Sequence, residues 1–599
     1  MNLLGEEGTT ADRPIGRVLS CRGSEAKVGL TDTGPLGERL ATVGKFIAIR
    51  SGENMLLGII VEVSKATHDD LAGPATRALA RVDLMGEITR EAGIPRFRRG
   101  VRDYPAIGDE AFVVSREYLK LVYSSTGEHS ISIGHLQQDA TIPAFVDVDS
   151  LLSKHFAVLG TTGVGKSSGV AVILGEVLRA RPGVRILLLD VHNEYGHSFG
   201  DKGRVVGSDN LKLPFWLFNF EEIIDVIYSG RPAVPEEVEI LAELIPIAKA
   251  AYMSLKNSGD RSLIARKGPR HMGFTADTPS PYLIQDLLTL IDERMGKLEN
   301  RSTRMVHHRL MMRIEGLKND PRYAFTFENA NVGGDTMAAV LEQLFQLESN
   351  TAGITVLKLA SLPGDVLDAV VCVVCRLAFE FGMWSDGAAP VLIACEEAHR
   401  YAAADHSLGF APARRALSRI AKEGRKYGVY LGLVTQRPAE LDPTIISQCS
   451  TLFVMRLANE KDQALLRSAV SDAVVNLLSF VPSLGTGEVV GLGEGMPLPA
   501  RLTFSKLPAN LVPASETAGK KTDHNMSRSE LVRHAIERWR KATTSQTTDE
   551  EDPPRDQATN VAVAQDAIAR GLQAIAGDRP AAEPRRVPLD PSRYSILKR

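Results

Sequence analysis

GTTGVGKS, at residues 160–167, matches the phosphate-binding loop G-x-x-x-x-G-K-[ST]. The apolar run HFAVL precedes it at 155–159, and residues 168–179 follow it with apolar side chains at helical spacing. Strand, glycine-rich turn and helix form the context that the motif needs, because the turn and the helix N-terminus then present backbone N–H groups to phosphate oxygens. The sequence therefore predicts a site for a nucleoside triphosphate.

Two side chains of this loop have predicted roles in binding ATP and Mg²⁺. Lys166 is expected to reach the β- and γ-phosphates, and the hydroxyl of Ser167 is expected to hold Mg²⁺. A buried strand is predicted at 184–190, and open α/β sheets place their ligands at the carboxyl ends of such strands. The candidate nucleotide-binding residues are Gly160, Thr161, Thr162, Gly163, Val164, Gly165, Lys166, Ser167, Ser168 and Asp190.

A second apolar run, PVLIAC at 390–395, delivers the adjacent carboxylates Glu396 and Glu397. One carboxylate can lie by Mg²⁺ while the other polarises the attacking water. We assign Glu396 to the metal and Glu397 to the water; the alternative is a strand that simply ends in a charged turn. The sequence EEAH lacks the histidine spacing of H-E-x-x-H and does not indicate a zinc protease.

A basic helix and another strand follow these carboxylates. Arg415, Arg419, Lys422 and Lys426 recur at helical spacing and predict a strongly basic stripe. The strand predicted at 429–434 then delivers Gln436. A glutamine at a strand end beside the P-loop strand can sense the γ-phosphate or orient water, although a polar strand terminus is also a common feature.

Length, composition and net charge limit the classes to which the protein can belong. With 44% hydrophobic and 24% charged residues, the chain is typical of soluble globular proteins, and 599 residues predict two or three domains. The net charge of −3 gives no global nucleic-acid signature, so any DNA contact must come from local basic patches. We see no export signal and no uninterrupted apolar run of membrane-spanning length, and we expect a cytoplasmic protein without membrane contact.

The chain divides into four predicted regions. Residues 1–13 are expected to be a flexible N-terminus, and residues 14–125 a small β-rich domain that closes as a barrel, because closure leaves no free strand edge. The α/β nucleotide core spans 133–507, with a helical insertion at about 220–330. Residues 508–599 read as linker, helices and a tail, which either docks on its own or a neighbouring subunit or stays loose.

The predicted insertion is rich in basic residues, which either form a solvated helix face or face DNA. These residues are Arg261, Arg266, Lys267, Arg270, Arg301, Arg304, Arg309 and Arg313. If the chain encircles DNA, the candidate lining of the channel is Arg414 and Arg415 together with Arg261, Arg266, Lys267 and Arg270.

The ordered set GTTGVGKS, DVHNEY, LIACEEAH, RIAKEGRKYG and TQRP, behind a β-rich N-terminal domain, resembles the HerA branch of the HerA/FtsK ATPases. The resemblance covers about residues 14–510 and the final residues 593–599. It implies a HAS-barrel-like domain in front of a RecA-like P-loop core with a helical insertion. It also implies a homo-hexameric ring that moves double-stranded DNA with ATP and Mg²⁺, and a separate nuclease or other effector as partner.

Carried over residue by residue, the resemblance assigns the ATP site to Lys166, Ser167, Glu396, Glu397 and Gln436, with Asp190 as its strand-end carboxylate. Arg425, with Arg419 second, is the candidate for an arginine supplied by a neighbouring subunit. The chain departs from the family pattern at two positions. Glu396 stands where members usually have Asp, which lengthens the reach to Mg²⁺, and Lys154 stands where they have Arg, which weakens a bidentate phosphate contact.

Two other function classes stay open. A conjugation-type or secretion ATPase shares the core but needs a membrane anchor or membrane partner. A protein-remodelling P-loop ATPase would hydrolyse nucleotide at a rate that ignores DNA. We favour a DNA translocase or helicase that acts in DNA end processing or anti-phage defence.

Overall fold

The computed structural model describes residues 14–31, 41–66, 76–124, 128–228, 231–258, 273–327, 334–348, 353–362, 364–405, 411–470 and 472–515, with isolated helical positions between 530 and 540. The predicted flexible N-terminus, the tail at 593–599 and the cations Arg261, Arg266, Lys267 and Arg270 lie outside the described residues. Within them, an N-terminal barrel is followed by a large α/β sheet.

Antiparallel strands close into a barrel in the N-terminal part, which confirms the predicted architecture. The strands are β1 (Gly16–Arg22), β2 (Glu25–Thr31), β3 (Phe46–Ser51), β4 (Asn54–Lys65), β5 (Thr76–Glu91), β6 (Ile94–Arg99) and β7 (Glu110–Val113). The order β2-β1-β7-β3-β4-β5 becomes a closed ring because β2 also pairs with β5. The sixth strand, β6, pairs with the outer half of β5 and extends from the barrel as a hairpin.

The barrel is buried on both faces of β3. Ile47 and Ile49 point into the barrel interior, whereas Phe46 and Ala48 belong to the hydrophobic cluster of the main core. This alternation follows from the two-residue period of a strand. The amide Nδ2 of Asn476 also donates to the Asp83 carboxylate of β5 at 3.2 Å. The barrel therefore packs on the core through apolar side chains as well as polar contacts.

An eleven-stranded sheet forms the core. The strands are β8 (Ser130–Leu136), β9 (Pro143–Asp147), β10 (His155–Leu159), β11 (Arg185–Asp190), β12 (Gly203–Val206), β13 (Ile354–Lys358), β14 (Val391–Cys395), β15 (Val429–Thr435), β16 (Cys449–Val454), β17 (Glu488–Gly493) and β18 (Ala500–Phe504). Their order is β12-β13-β11-β14-β15-β10-β16-β17-β18-β8-β9, and the pairs from β12 to β16 are parallel while the rest are antiparallel. The P-loop strand β10 thus lies inside the parallel part, beside β15, as a RecA-like core requires.

Helices cover the sheet and build the insertion. They are α1 (Arg116–Tyr123), α2 (Val148–Ser153), α3 (Lys166–Ala180), α4 (Phe220–Tyr228), α5 (Pro235–Ser258), α6 (Ile284–Gly296), α7 (Arg301–Lys318), α8 (Ala324–Phe327), α9 (Met337–Phe345), α10 (Gly364–Trp384), α11 (Ala411–Glu423), α12 (Pro443–Ile446), α13 (Glu460–Ala469) and α14 (Asp472–Leu478). The insertion consists of α4 to α8, between β12 and β13. No helix in the described part of the chain is long and apolar enough to cross a membrane.

A buried ion pair ties the insertion to the core. Arg376 of α10 donates to both carboxylate oxygens of Glu222 in α4, at 2.8 and 2.9 Å, and to the carbonyl oxygen of Leu217 at 2.5 Å. Glu222 is 1% exposed and also accepts the backbone N–H of Asn219 at 2.8 Å. This bidentate geometry fixes the angle at which the insertion leaves the sheet.

Candidate nucleotide site

Several parallel strands end at the same edge of the sheet. The register pairs Leu159 of β10 with Thr435 of β15, and it pairs Cys395 of β14 with Leu433 of β15 and Leu189 of β11. The residues that follow these strands therefore meet at this edge. They include the P-loop, both predicted glutamates, Gln436 and the sequence DVHNEY, so the structure brings most of the predicted site residues together.

The P-loop has the backbone that its glycines predict. Gly165 adopts φ 95°, a left-handed conformation, immediately before α3. A Cβ on Gly160 would lie 2.8 Å from the Cβ of Met455, so a larger residue would push β10 and β16 apart. The N–H of Thr161 donates to the Arg456 carbonyl oxygen at 2.9 Å, and Lys166 Nζ donates to the Thr161 carbonyl oxygen at 2.9 Å. These hydrogen bonds to Arg456 and within the loop stabilise the conformation of the P-loop.

Lys166 lies in an acidic environment. Burial lowers its pKa, while the carboxylates of Glu397, Glu396 and Glu194 act in the opposite direction. The ammonium group of Lys166 therefore lies near three carboxylates, those of Glu194, Glu396 and Glu397. A cation at the end of a P-loop is placed to neutralise phosphate charge.

Glu194 and Tyr195 belong to the site although they were not among the predicted residues. The hydroxyl of Ser167 donates to Glu194 Oε2 at 2.8 Å. The hydroxyl of Tyr195, which is fully buried, lies within hydrogen-bonding range of Ser167 and donates to Glu396 Oε1 at 3.3 Å. The sequence signal for both is their position in DVHNEY, directly after β11, where side chains reach the ligand edge.

Asp190 shapes the turn that carries these residues. It is fully buried at the end of β11, and its two oxygens accept the backbone N–H groups of Glu194 at 3.1 Å and Tyr195 at 3.0 Å. Burial raises its pKa, and the backbone hydrogen bonds oppose that rise. The structure therefore places Asp190 beneath Glu194, with its carboxylate committed to the backbone.

Glu396 is 5% exposed at the end of β14. Its Oε1 accepts the Tyr195 hydroxyl, but its Oε2 has no hydrogen-bond partner among the described residues. Burial raises the pKa of Glu396 well above its usual value, and the charges of Asp190, Glu194 and Glu397 raise it further. A buried carboxylate oxygen without a partner is costly, and it indicates a ligand that supplies positive charge.

Glu397 is 7% exposed and has φ 48°, which puts a non-glycine residue in the left-handed region. Such a conformation costs roughly 1–2 kcal/mol and is concentrated at functional sites. Its Oε1 lies 3.6 Å from His192 Nε2. His399 Nδ1 lies 3.3 Å from Oε2 but makes its hydrogen bond to Thr435 Oγ1 at 3.0 Å, so Oε2 has no hydrogen-bond partner in the described part of the chain.

These residues fit ATP with Mg²⁺. The unpartnered oxygens of Glu396 and Glu397 and the hydroxyl of Ser167 are hard oxygen donors, which Mg²⁺ prefers. No group of three or more His, Cys, Asp or Glu side chains in the described residues could hold a metal by itself. This agrees with a Mg²⁺ that takes one or two protein ligands and completes its shell with phosphates and water.

Gln436 lies within the same cluster. The hydroxyl of Thr162 in the P-loop donates to Gln436 Oε1. The contact joins the loop after β10 to the end of the neighbouring strand β15, which is the position that the sequence predicts. A side chain bonded to the P-loop in this way is placed to respond to the nucleotide.

Neither candidate arginine reaches this P-loop. Arg425 is exposed on the 3-10 turn Gly424–Tyr427, which precedes β15 and so lies at the edge opposite Gln436. Its side chain has no ion pair or hydrogen bond among the described residues. Arg419 is exposed on α11, and its guanidinium stacks on the ring of Phe379 at 4.3 Å.

Two cations of the predicted basic stripe on α11 already have partners within the chain. Arg415 pairs with Glu221 of the insertion at 2.6 Å, and Arg419 is held on Phe379. Arg414 is half-buried, while Lys422 and Lys426 are exposed. The helix carries Arg415, Arg419 and Lys422 but ends at Glu423, so Lys426 lies on the 3-10 turn that follows. The insertion also supplies an acidic partner, Glu221, that the sequence does not place there.

The chain segment after β18 returns to the nucleotide edge. Ser505 donates its N–H to the Ile133 carbonyl oxygen at 2.9 Å, and Ala514 donates its N–H to the Glu194 carbonyl oxygen at 3.0 Å. Residues 508–515, which the sequence predicts as linker, therefore pass beside the loop that carries Glu194.

Comparison with known proteins assigns this arrangement to a family. Residues 131–378 match the family model described as "Helicase HerA, central domain". This central part of the chain is similar to the central domain of HerA-type ATPases. The chain is 28% identical over 474 residues to the DNA double-strand break repair helicase HerA of Pyrococcus furiosus, which covers 72% of this chain and 78% of that protein. It is 25% identical over 499 residues to a probable helicase of Methanocaldococcus jannaschii, covering 79% and 88%.

Among solved structures, VirB4 of Thermoanaerobacter pseudethanolicus is similar to this chain with a TM-score of 0.42 and 13% identity, over 64% of this chain and 99% of that one. The HerA family model ends at residue 378, ahead of Glu396, Arg425 and Gln436. The placement of the second half of the site therefore depends on the geometry described above. Lys154 pairs with Glu494 at 2.7 Å.

Proposed function

We propose that this chain hydrolyses ATP and uses the reaction to move or unwind double-stranded DNA, as a ring of identical subunits that we expect to be a hexamer. The observation that carries the ATPase part is the pair of buried, unpartnered oxygens on Glu396 and Glu397 beside Lys166. A strand that merely ended in a charged turn would leave its carboxylates exposed to water. Here both carboxylates are withdrawn from water, and the Oε2 atom of each has no hydrogen-bond partner among the described residues.

Mg²⁺, when bound with ATP, would be held by Ser167 and Glu396 and would neutralise charge on the β- and γ-phosphates. Lys166, which now caps the Thr161 carbonyl oxygen, binds the same phosphates. Glu194 is a positioning residue. Because it accepts the Ser167 hydroxyl proton, the lone pairs of Ser167 Oγ remain available as a metal ligand.

Glu397 acts as the general base for the attacking water. Its Oε2 accepts no hydrogen bond from the described residues and is free to take a water proton. Burial lowers the pKa of the adjacent His399, so this imidazole is neutral at neutral pH. Gln436, bonded to Thr162, orients the water or senses the γ-phosphate.

The DNA part of the proposal draws on the relatives. The protein of Pyrococcus furiosus is named a DNA double-strand break repair helicase, and we extend duplex DNA to this chain on that basis. A separate nuclease or other effector is the proposed partner, in DNA end processing or anti-phage defence. Arg425 is exposed at the edge opposite the P-loop and has no hydrogen bond or ion pair among the described residues, which supports composite sites between neighbouring subunits.

The test is the ATPase rate of the purified full chain with and without linear duplex DNA, combined with native mass spectrometry for the subunit count. We expect a ring whose hydrolysis rises with duplex DNA, and a Lys166→Ala chain that neither binds ATP tightly nor hydrolyses it. A monomer whose hydrolysis ignores DNA would instead support a protein-remodelling ATPase. A ring that responds only when a second protein is added would indicate a partner-gated machine.

A further inference from the structure

One face of α7 in the insertion is exposed and basic. We call it the α7 face, and it consists of Arg301, Arg304, Met305, His308, Arg309 and Met312. These positions recur every three or four residues, so the side chains lie on one side of the helix. The opposite side carries His307, Leu310 and Ile314, which are buried in the insertion. The two methionines are 42% and 54% exposed.

The arginines of this face have no partner within the described part of the chain. Other exposed arginines of the insertion do: Arg294 pairs with Glu243 at 2.6 Å, and Arg322 binds Asp320 through two nitrogens. Arg301, Arg304 and Arg309 make no such contact, although each guanidinium offers five donors. Three arginines without a partner among the described residues therefore lie together on the α7 face.

The same face breaks a local rule of helix electrostatics. The N-terminal turn of a helix carries partial positive charge and favours Asp or Glu. The insertion follows that rule in α4 with Glu221 and Glu222, and in α5 with Glu236 and Glu237. In contrast, α7 begins with Arg301 and Arg304 and has no acidic residue in its first turn. A violation without a compensating contact indicates a binding role rather than a contribution to folding.

We propose that the α7 face binds the phosphate backbone of double-stranded DNA. This proposal rests on the proposed function, and it names a contact surface that lies apart from the nucleotide site. From Arg301 to Arg309 the helix rises by about 12 Å, at 1.5 Å per residue. One strand of B-DNA rises about 3.4 Å per phosphate, so the three arginines match a run of three or four phosphates.

The composition of the face favours a phosphate backbone over a protein partner. The centre of a protein–protein interface is depleted of charged residues, whereas cations outnumber the apolar side chains on the α7 face. A flat array of arginines without an enclosing pocket binds phosphates irrespective of base sequence. Met305 and Met312 are neutral and flexible, so they do not oppose an anionic surface.

The experiment compares two sets of substitutions in the full chain. The test variant is Arg301→Gln, Arg304→Gln and Arg309→Gln together. The matched control is Arg294→Gln with Arg322→Gln, which removes exposed arginines of the same insertion that already have carboxylate partners. Fluorescence anisotropy with a labelled 30-base-pair duplex, measured from about 50 to 200 mM salt, gives the affinity and its salt dependence.

We expect the test variant to reduce the slope of log affinity against log salt by up to about 3, because each lost phosphate contact contributes roughly 0.9. The control pair should keep the wild-type slope, and both variants should keep ATP binding and the thermal midpoint. A third variant, Met305→Ser with Met312→Ser, should also keep the slope.

Two other results would overturn the inference in different ways. If wild type binds DNA and the test variant keeps the wild-type slope, the α7 face is not the DNA surface, although the proposed function stands. If wild type binds no duplex at any salt concentration, the DNA part of the proposed function fails together with this inference. If only the methionine variant loses DNA affinity, the α7 face makes apolar contacts, and the proposal that it binds phosphates is wrong.

Discussion

Two regions of this molecule bury carboxylates in different ways. Where the insertion meets the core, Glu222 accepts two hydrogen bonds from Arg376 and one from the backbone of Asn219. At the nucleotide edge, Glu396 and Glu397 are also almost fully buried, yet each keeps one oxygen without a partner among the described residues.

The difference distinguishes a carboxylate with a structural role from one that serves a ligand or a reaction. A buried carboxylate that is fully paired contributes to the position of a helix, and its loss leaves the partner cation stranded. A buried carboxylate that is not paired weakens the folded state by itself, so its presence implies that it serves a ligand or a reaction. Four predictions test this contrast, in order of decreasing effect.

The largest effect is expected at an arginine that has no partner. Arg425 is exposed at the edge opposite the P-loop, whereas Arg419 already stacks on Phe379. If Arg425 reaches the γ-phosphate of a neighbouring subunit, Arg425→Ala should lower the ATPase rate by roughly 10³–10⁵-fold. Arg419→Ala, the matched control, should cost far less activity and should lower the thermal midpoint because it removes a ring contact.

Mixing experiments test whether the arginine acts between subunits. Arg425→Ala chains mixed with Lys166→Ala chains should regain part of the activity, because some interfaces then combine an intact P-loop with an intact arginine. Confirmed mixed rings without any recovery, at every mixing ratio, would count against a role of Arg425 in a neighbour's site.

The second prediction concerns the stability of the two buried carboxylates. Glu222→Ala leaves the buried guanidinium of Arg376 without its bidentate partner, and it should lower the free energy of unfolding by about 3–5 kcal/mol. Glu396→Gln removes a carboxylate that has no cation partner in the described structure, and it should leave the free energy unchanged or raise it. Chemical denaturation of both variants measures the difference. Equal destabilisation would show that the unpartnered oxygens do not weaken the fold.

Much of the fold could be predicted from the sequence, because strongly periodic or uniformly apolar stretches determine it locally. The runs predicted at 155–159, 390–395 and 429–434 are the strands β10, β14 and β15. Local sequence determines β2 and β6 less well, because EAKVGLT and IPRFRR carry charges and a proline. These strands depend on pairing instead: β2 pairs with β1 and β5, and β6 forms an exposed hairpin with β5.

The candidate site was predictable in its residue types but not in its contacts. The motif spacing indicates Lys166, Ser167 and the two glutamates, and the structure gathers them at one edge. The sequence could not show that Asp190 is used up by backbone N–H groups while Glu194 binds Ser167, since both follow from the shape of a single turn. It also could not show that Glu221 neutralises Arg415, because that pair joins residues 194 positions apart.

The third prediction tests the general base. Glu397→Gln keeps the size and the left-handed backbone position of the residue but removes its ability to accept a proton. ATP binding should be retained, and turnover should fall by at least roughly 100-fold, the usual scale for a lost general base. Equilibrium binding and single-turnover hydrolysis separate the two effects. Near-normal hydrolysis would move the base to another residue, first to Glu396.

The smallest effect is expected at Glu194, which acts through Ser167 rather than on the nucleotide. Glu194→Gln keeps the shape of the side chain but weakens the hydrogen bond that it accepts from the Ser167 hydroxyl. Losing such a hydrogen bond to a metal ligand costs about 10–100-fold in metal affinity. We expect the Mg²⁺ concentration that half-saturates binding of a fluorescent ADP analogue to rise by about tenfold, at the low end of that range. Binding of the analogue in EDTA should not change. Ser167→Ala should produce a similar shift.

The double variant decides whether Glu194 works through Ser167. If it does, Glu194→Gln combined with Ser167→Ala should be no worse than Ser167→Ala alone, because residues that share one interaction are not additive. Fully additive shifts would show that Glu194 meets the metal or its water independently. If Glu194→Gln requires the same Mg²⁺ concentration as wild type, the hydrogen bond between Ser167 and Glu194 does not contribute to metal binding and belongs only to the loop without nucleotide. Then Glu194, like Glu222, would be a paired carboxylate with a structural role.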